Sequence, residues 1–341
     1  VGLAPLLEQR AARSTAGTER SSSFSGRALG SPLRLTLTNT DRPTSEAAWA
    51  LVLDEFAAVD AALSNYRDDS ALTALNRGVE DGAIQPIDRR LYAALALADR
   101  ARRETGGRFD PRVAVALQAL GRVGPVPVAS DAGPRPAADR WLSRDPRSGA
   151  AATSEPVDLG GVGKGLALRW AWTRLTRILP DRGVGALLDC GGDLVGRGPG
   201  PDGGDWLIAI EDPRSGLSAH LADRAAAAPS DEPWPLAVVG LRGGAICTSS
   251  TRIARWTDPA GQSVHHLIDP RTGRPGGDGL LAVTVAWPDP AWAEIRTKEL
   301  FLAGSQEIAG IARRRDLAAW WVMADGTLEM TPRARQAMHW P

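Results

Sequence analysis

A chain of 341 residues is long enough to bury a large core, either as one big domain or as two joined lobes. Lysine plus arginine equals aspartate plus glutamate at 40 each, so no bulk field recruits DNA, RNA or an anionic membrane, and no nucleic-acid partner is expected. Cys190 and Cys247 are too few for a disulfide scaffold and lack metal-knuckle spacing, and no apolar run approaches 18 residues, so the expectation is a cytoplasmic protein with no integral membrane segment.

Residues 1–30 are Ser-, Arg- and Gly-rich and read as a flexible arm, with order expected from about Ser31. Leu33, Leu35 and Leu37 alternate with polar residues as in a strand, and Ala48, Leu51, Val52, Phe56, Val59 and Leu63 recur at helical spacing, which predicts a helix over 45–63. A loop at Ser64–Ser70 precedes a short helix through Leu72, Leu75 and Asn76. Asp88 is placed to cap a further helix that Gly106-Gly107 should stop, delivering Phe109-Asp110-Pro111 as an ordered turn. Stretches 124–138 and 219–235, rich in Pro and Ala, read as a surface excursion and an insertion. Strands are expected at 184–188, 206–210, 236–239, 245–248 and 282–286, with helices over 164–179 and 291–303. The fold class is therefore α+β, with a mixed sheet and packed helices.

Three separated segments carry the chemistry. In Asp158-Leu159-Gly160-Gly161-Val162-Gly163-Lys164-Gly165 the glycines permit close backbone approach and positive φ, and the following amphipathic segment turns the loop into a helix entry whose free amides and Lys164 suit a phosphate. A purely structural helix-entry turn fits equally well, because the sequence matches neither the phosphate-loop nor the dinucleotide-loop register. Cys190-Gly191-Gly192-Asp193 follows an apolar strand and admits either a ligand edge or a tight strand-end turn. His266 and Asp269, ahead of Pro270-Arg271-Thr272-Gly273, are placed to take a hydroxyl proton, or only to close a hairpin. Glu294 and Lys298, four apart on a helix, form either a surface ion pair worth about 0.2–0.5 kcal/mol or, for Glu294, an oxygen ligand for magnesium. No His/Cys cluster suggests zinc, no G-x-S-x-G elbow is present, and the tryptophans sit in apolar surroundings that suit core positions better than ligand stacking.

Taken in order, these motifs resemble those of the FAD:protein FMN transferase family, also called the ApbE or thiamine-biosynthesis lipoprotein family, over about residues 31–330. Ser64-Asn65-Tyr66, Asp69-Ser70 and Asn76 look like its early motif, Gly107–Pro111 like its Gly-x-Phe-Asp-Pro, and His266–Gly273 like its His-Ile-Ile-Asp-Pro-x-Thr-Gly. Asp158–Gly165 is similar to Asp-Leu-Gly-Gly-Ile-Ala-Lys-Gly, with Gly163 for Ala; Gly191–Asp193 matches Gly-Gly-Asp, and Thr248–Ser250 partly matches a Ser-Gly segment. The resemblance implies one catalytic domain over 31–335, made of two interwoven lobes with the ligand between them. It implies FAD as donor, Mg2+ as cofactor, AMP as product, and a Ser or Thr hydroxyl of an acceptor flavoprotein as recipient.

By the same resemblance, the flavin dinucleotide would be held by Tyr66, Ser70, Asn76, Asp110, Asp158, Gly160, Gly161, Lys164, Gly191, Gly192, Asp193, Thr272 and Lys298. His266, Asp269 and Lys164 would be catalytic, and the Gly163 carbonyl, Glu294 and Thr297 would hold the metal. The C-terminal metal segment departs from the family, with Glu294 for Asp and Lys298 for Thr. An ammonium supplies no oxygen ligand, so either Thr297 compensates or Lys298 meets the diphosphate itself. Two other outcomes remain: an FAD diphosphatase giving FMN and AMP, or a flavin-binding protein without transfer chemistry.

Overall fold

The computed structural model describes residues 21–79, 82–122, 124, 140–180, 183–214 and 235–340. The leucine alternation at 33, 35 and 37 becomes strand β2 (Ser31–Thr38), with all three leucines buried and Arg34 and Thr36 half-buried between them.

Order begins ahead of β2, which corrects the expected arm. Ser21–Ala28 forms β1, pairing antiparallel with β2 from Ser21 opposite Thr38 to Ala28 opposite Ser31; residues 1–20 lie outside the described residues. An edge strand is held by backbone hydrogen bonds, so a serine-rich segment with little to bury can still be ordered. Phe24 adds a stacked contact with Trp49 at 5.9 Å. The connecting Leu29-Gly30 turn has φ of 49° and 72°, the two-residue hairpin geometry in which both central residues are left-handed.

The main sheet continues through β3 (Gly185–Cys190), β4 (Asp193–Arg197), β5 (Gly243–Ser250), β6 (Leu280–Trp287), β7 (Ala318–Met323) and β8 (Leu328–Met330), eight strands adjacent in chain order. Every pairing in it is antiparallel, so the α+β class holds while the expected mixture of strand directions does not. Apolar runs mark strands but carry no information about direction.

Helices cover one face of this sheet. In chain order the helical layer is α1 (Arg42–Leu63), α2 (Ala71–Arg77), α3 (Arg89–Glu104), α4 (Ala114–Ala119), α5 (Gly163–Ile178), α6 (Pro290–Phe301) and α7 (Gly304–Arg314); α1, α5, α6 and α7 touch the strands, α2 and α3 pack on α1, and α4 packs on Ile268. Side-chain caps set the starts of the first three, from Asp41, Ser70 and Asp88 to amides in the first turn. Val195, Ala245 and Cys247 point into the helical core, whereas Leu194 and Ile246 point to the opposite face and pack on a three-stranded sheet containing Trp206–Ile210 and Ala237–Leu241. Trp320 and Trp321 are buried, and Trp49, Trp170 and Trp172 pack against the core. The expected excursion and insertion fall outside the described residues except for Gly124 and Pro235. Among the described residues no helix is long and apolar enough to cross a membrane.

Candidate active site

The glycine-rich loop is built by its own short contacts. Asp158 donates its amide to the Pro111 carbonyl at 2.7 Å, and its Oδ1 accepts the Gly160 amide at 2.6 Å. No side chain caps α5 at Val162; instead Glu294, reaching across from α6, accepts the Gly165 amide on Oε2 at 2.8 Å. A β-carbon on Gly165 would stand 2.6 Å from the Ala291 α-carbon, so this glycine lets the backbones of α5 and α6 touch. One on Gly161 would meet the Phe109 ring at 3.2 Å and Lys298 Cε at 3.3 Å.

The Gly191-Gly192 turn joins β3 to β4 with φ of 64° and 90°. The Gly192 amide donates to Asp189 Oδ1 at 2.9 Å. What passes close to Gly191 is another loop: a β-carbon there would lie 2.9 Å from the Ser31 side chain.

These segments open onto a cleft of about 690 Å³, within the span of about 300–1,000 Å³ usual for small-molecule and cofactor sites. Tyr66, Asp110, Asp158, Gly160, Gly161, Gly163, Lys164, Gly191, His266, Glu294 and Lys298 all line it. Ser70, Asn76, Gly192, Asp193, Asp269, Thr272 and Thr297 are not among the lining residues.

Local bonding explains most of the second group. Ser70 caps α2 and donates to the Ser64 carbonyl at 2.6 Å, and the Asn76 amide bridges both main-chain groups of Val157. Asp193 receives the Lys164 ammonium on one oxygen and the Thr248 amide on the other. Asp269 as a catalytic base is set aside: it pairs with Arg271 at 2.7 Å, accepts the Arg271 amide, and closes the hairpin with Thr272. Both thiols are buried, and burial pushes Cys190 up to about 12, which suits neither for nucleophilic work.

The charges facing the cleft are unusual for a buried surface. Although burial works against its charge, Asp193 and Glu294 hold the Lys164 ammonium above its ordinary pKa. His266 runs the other way: burial, and then the cations Lys298 and Arg122, push its pKa down to about 3, so the imidazole is neutral. Its Nδ1 is buried without a hydrogen-bond partner.

The two side chains expected to hold magnesium, Glu294 and Thr297, do not fit that ion. Glu294 is 2% exposed, with Oε2 on the Gly165 amide and Oε1 taking the Lys298 ammonium at 3.2 Å. The Thr297 hydroxyl faces Ser249 at 2.7 Å and donates to the Glu294 carbonyl at 2.8 Å. Among the described residues no three His, Cys, Asp or Glu gather as metal ligands. A divalent cation about 4 Å from the ammonium would meet repulsion of about 4 kcal/mol per unit of its charge at an effective dielectric of about 20.

Sequence reasoning missed several cleft residues. Arg122 donates to the Tyr66 hydroxyl and lies over its ring at 5.5 Å, while Leu29, Gly30 and Ser31 bring the β1–β2 turn to the rim. Gly30 offered a signal, as a glycine between two strand-like segments; Arg122, beside the Pro/Ala-rich stretch, offered none.

Comparison with known proteins places this arrangement. The FAD:protein FMN transferase of Salmonella typhimurium is 27% identical over 315 residues, spanning 88% of this chain and 84% of the relative. That of Haemophilus influenzae is 25% identical over 320 residues, spanning 88% and 86%. The crystal structure of the ApbE protein from Thermotoga maritima has the same fold at a TM-score of 0.77 and 20% identity, covering 93% of this chain and 99% of that one. The apo flavinyl transferase ApbE of Pseudomonas stutzeri superposes at 0.73 with 24% identity, covering 93% and 96%. The ApbE family model matches residues 29–321, and the chain belongs to that family.

Proposed function

We propose that this chain transfers the FMN part of FAD to a Ser or Thr hydroxyl of an acceptor flavoprotein and releases AMP. The observation that carries the reading is the meeting of the Asp158–Lys164 loop, the Gly191 turn and His266 in one cleft with two lysines and a neutral imidazole. The naming of its relatives as FAD:protein FMN transferases supports the same chemistry.

In the reaction, the acceptor oxygen forms a bond to the FMN-side phosphorus, and the bond from that phosphorus to the bridging oxygen breaks. The electron pair leaves with AMP. Lys164, Lys298 and the N-terminus of α5 would offset charge on the phosphoryl oxygens. His266, neutral and on the wall of the cleft, would take the hydroxyl proton. A diphosphate beside Lys298 and Arg122 would cancel part of the field that depresses its pKa, raising its basicity once FAD is bound. Tyr66, 65% exposed at the rim and backed by Arg122, would offer a face for the flavin ring.

The test is a mass assay with purified protein, FAD and flavoproteins carrying exposed Ser or Thr acceptors. An FMN increment on the acceptor with one AMP released per increment is the expected outcome. FMN and AMP appearing free, with the acceptor unlabelled, would replace the reading with FAD hydrolysis.

A further inference from the structure

We propose that the Lys298 ammonium occupies the place of a divalent cation at the flavin diphosphate, so that this chain grips the dinucleotide without a metal. The inference deepens the flavin reading of the cleft and rests on it.

The helix α6 sets the geometry. Glu294 and Lys298 stand one turn apart, and Nζ lies 3.2 Å from the carboxylate and 3.4 Å from the Glu294 carbonyl. The lysine stem has a fixed channel: it runs across Gly161, where a β-carbon would come within 3.3 Å of Cε and 3.4 Å of Cδ. Its side chain is 14% exposed and lines the cleft, so the charge is presented from a packed wall.

The neighbouring oxygens are already engaged. One carboxylate oxygen of Glu294 caps the start of α5 through Gly165, the other holds the ammonium, and the Thr297 hydroxyl is turned to Ser249. A cation entering here would have to displace Lys298 and break that cap. An ammonium has three N–H donors; two contacts go to Glu294, which leaves a third for a phosphate oxygen. Lys164, paired with Asp193 in the same cleft, supplies a second fixed cation, so the diphosphate meets two lysines held by carboxylates.

Flavin fluorescence titration of the full chain with FAD, in EDTA and in millimolar Mg2+, tests the inference independently of any acceptor. Equal dissociation constants within about twofold are expected. Lys298→Thr should weaken binding in EDTA by about tenfold or more, and Lys298→Arg, which keeps the charge, should retain most of it. A circular dichroism melt close to that of the wild type shows that the Thr variant is folded. Wild-type binding that tightens about tenfold on adding Mg2+, or Lys298→Thr binding that is undiminished in EDTA, overturns the inference. Binding without transfer in the mass assay removes only the transferase reading, whereas no FAD binding under either condition removes both.

Discussion

His266 carries the sharpest residue-scale expectation. Its role predicts that His266→Gln lowers transfer by about 10²–10⁴-fold while the FAD dissociation constant stays within about threefold. Equal losses in both would make it a wall of the pocket. The same side chain makes stability depend on pH. Its pKa in the fold, about 3, lies below the ordinary 6.5, so its contribution is whole above 6.5 and is lost as the pH falls toward 3. Wild-type protein should therefore lose more stability between about pH 7 and about pH 5 than His266→Gln does, as read from urea midpoints. Matching slopes would mean that the imidazole is protonated in the folded protein as easily as in the unfolded chain.

At the scale of elements, the α5–α6 contact decides what the glycine loop is for. Glycine inside a helix normally gains about 0.5–1 kcal/mol on changing to alanine. At Gly163, where a β-carbon meets nothing within 4 Å, the change should be neutral or stabilising. At Gly165 the β-carbon would strike the backbone of α6 at 2.6 Å, and the sign should reverse, to a loss of about 1–3 kcal/mol. Urea denaturation of the two variants measures this directly. Equal stabilities would show that α6 yields at little cost and that the glycine is not there for packing. Because the Gly165 amide also holds Glu294, separating the helices would loosen the neighbourhood of Lys298 as well.

For the molecule as a whole, α6 is the element on which distant parts converge, and it is tied at both ends by ion pairs. At its start Asp289 caps the helix and pairs with Arg169 of α5 at 2.7 Å. Near its end the buried Glu299 bonds Arg296 and Arg315, each at 2.7 Å, and Arg296 continues to Glu104 at the end of α3. Removing the charge at Glu299 leaves two guanidinium groups facing a neutral amide. Arg296 keeps Glu104 and Arg315 is partly exposed, so Glu299→Gln should cost about 1.5–3 kcal/mol in urea unfolding. A loss below about 1 kcal/mol would mean that packing alone holds α6 in place.

How much of this was legible beforehand follows from the range of each interaction. The alternation at Leu33–Leu37, the cap at Asp88 and the Gly273 turn that ends the His266 motif could be read from the sequence itself, because periodicity, capping and positive φ act within a few residues; the positive φ expected of the Asp158–Gly165 glycines is not found, and glycine serves close backbone approach there instead. Local chemistry also marked Lys298 as the wrong residue for a metal ligand. Only the tertiary structure decided which motif residues face the cleft: Tyr66 and His266 do, while Ser70, Asn76, Asp269 and Thr297 bond inward. It also decided that a serine-rich segment becomes β1, that the sheet is antiparallel, that Arg122 meets Tyr66, and that Glu294 spends its carboxylate on Gly165 and Lys298. Each of these depends on groups brought together from far apart in the chain, where the deciding quantity is a distance across the fold that no run of neighbouring residues encodes.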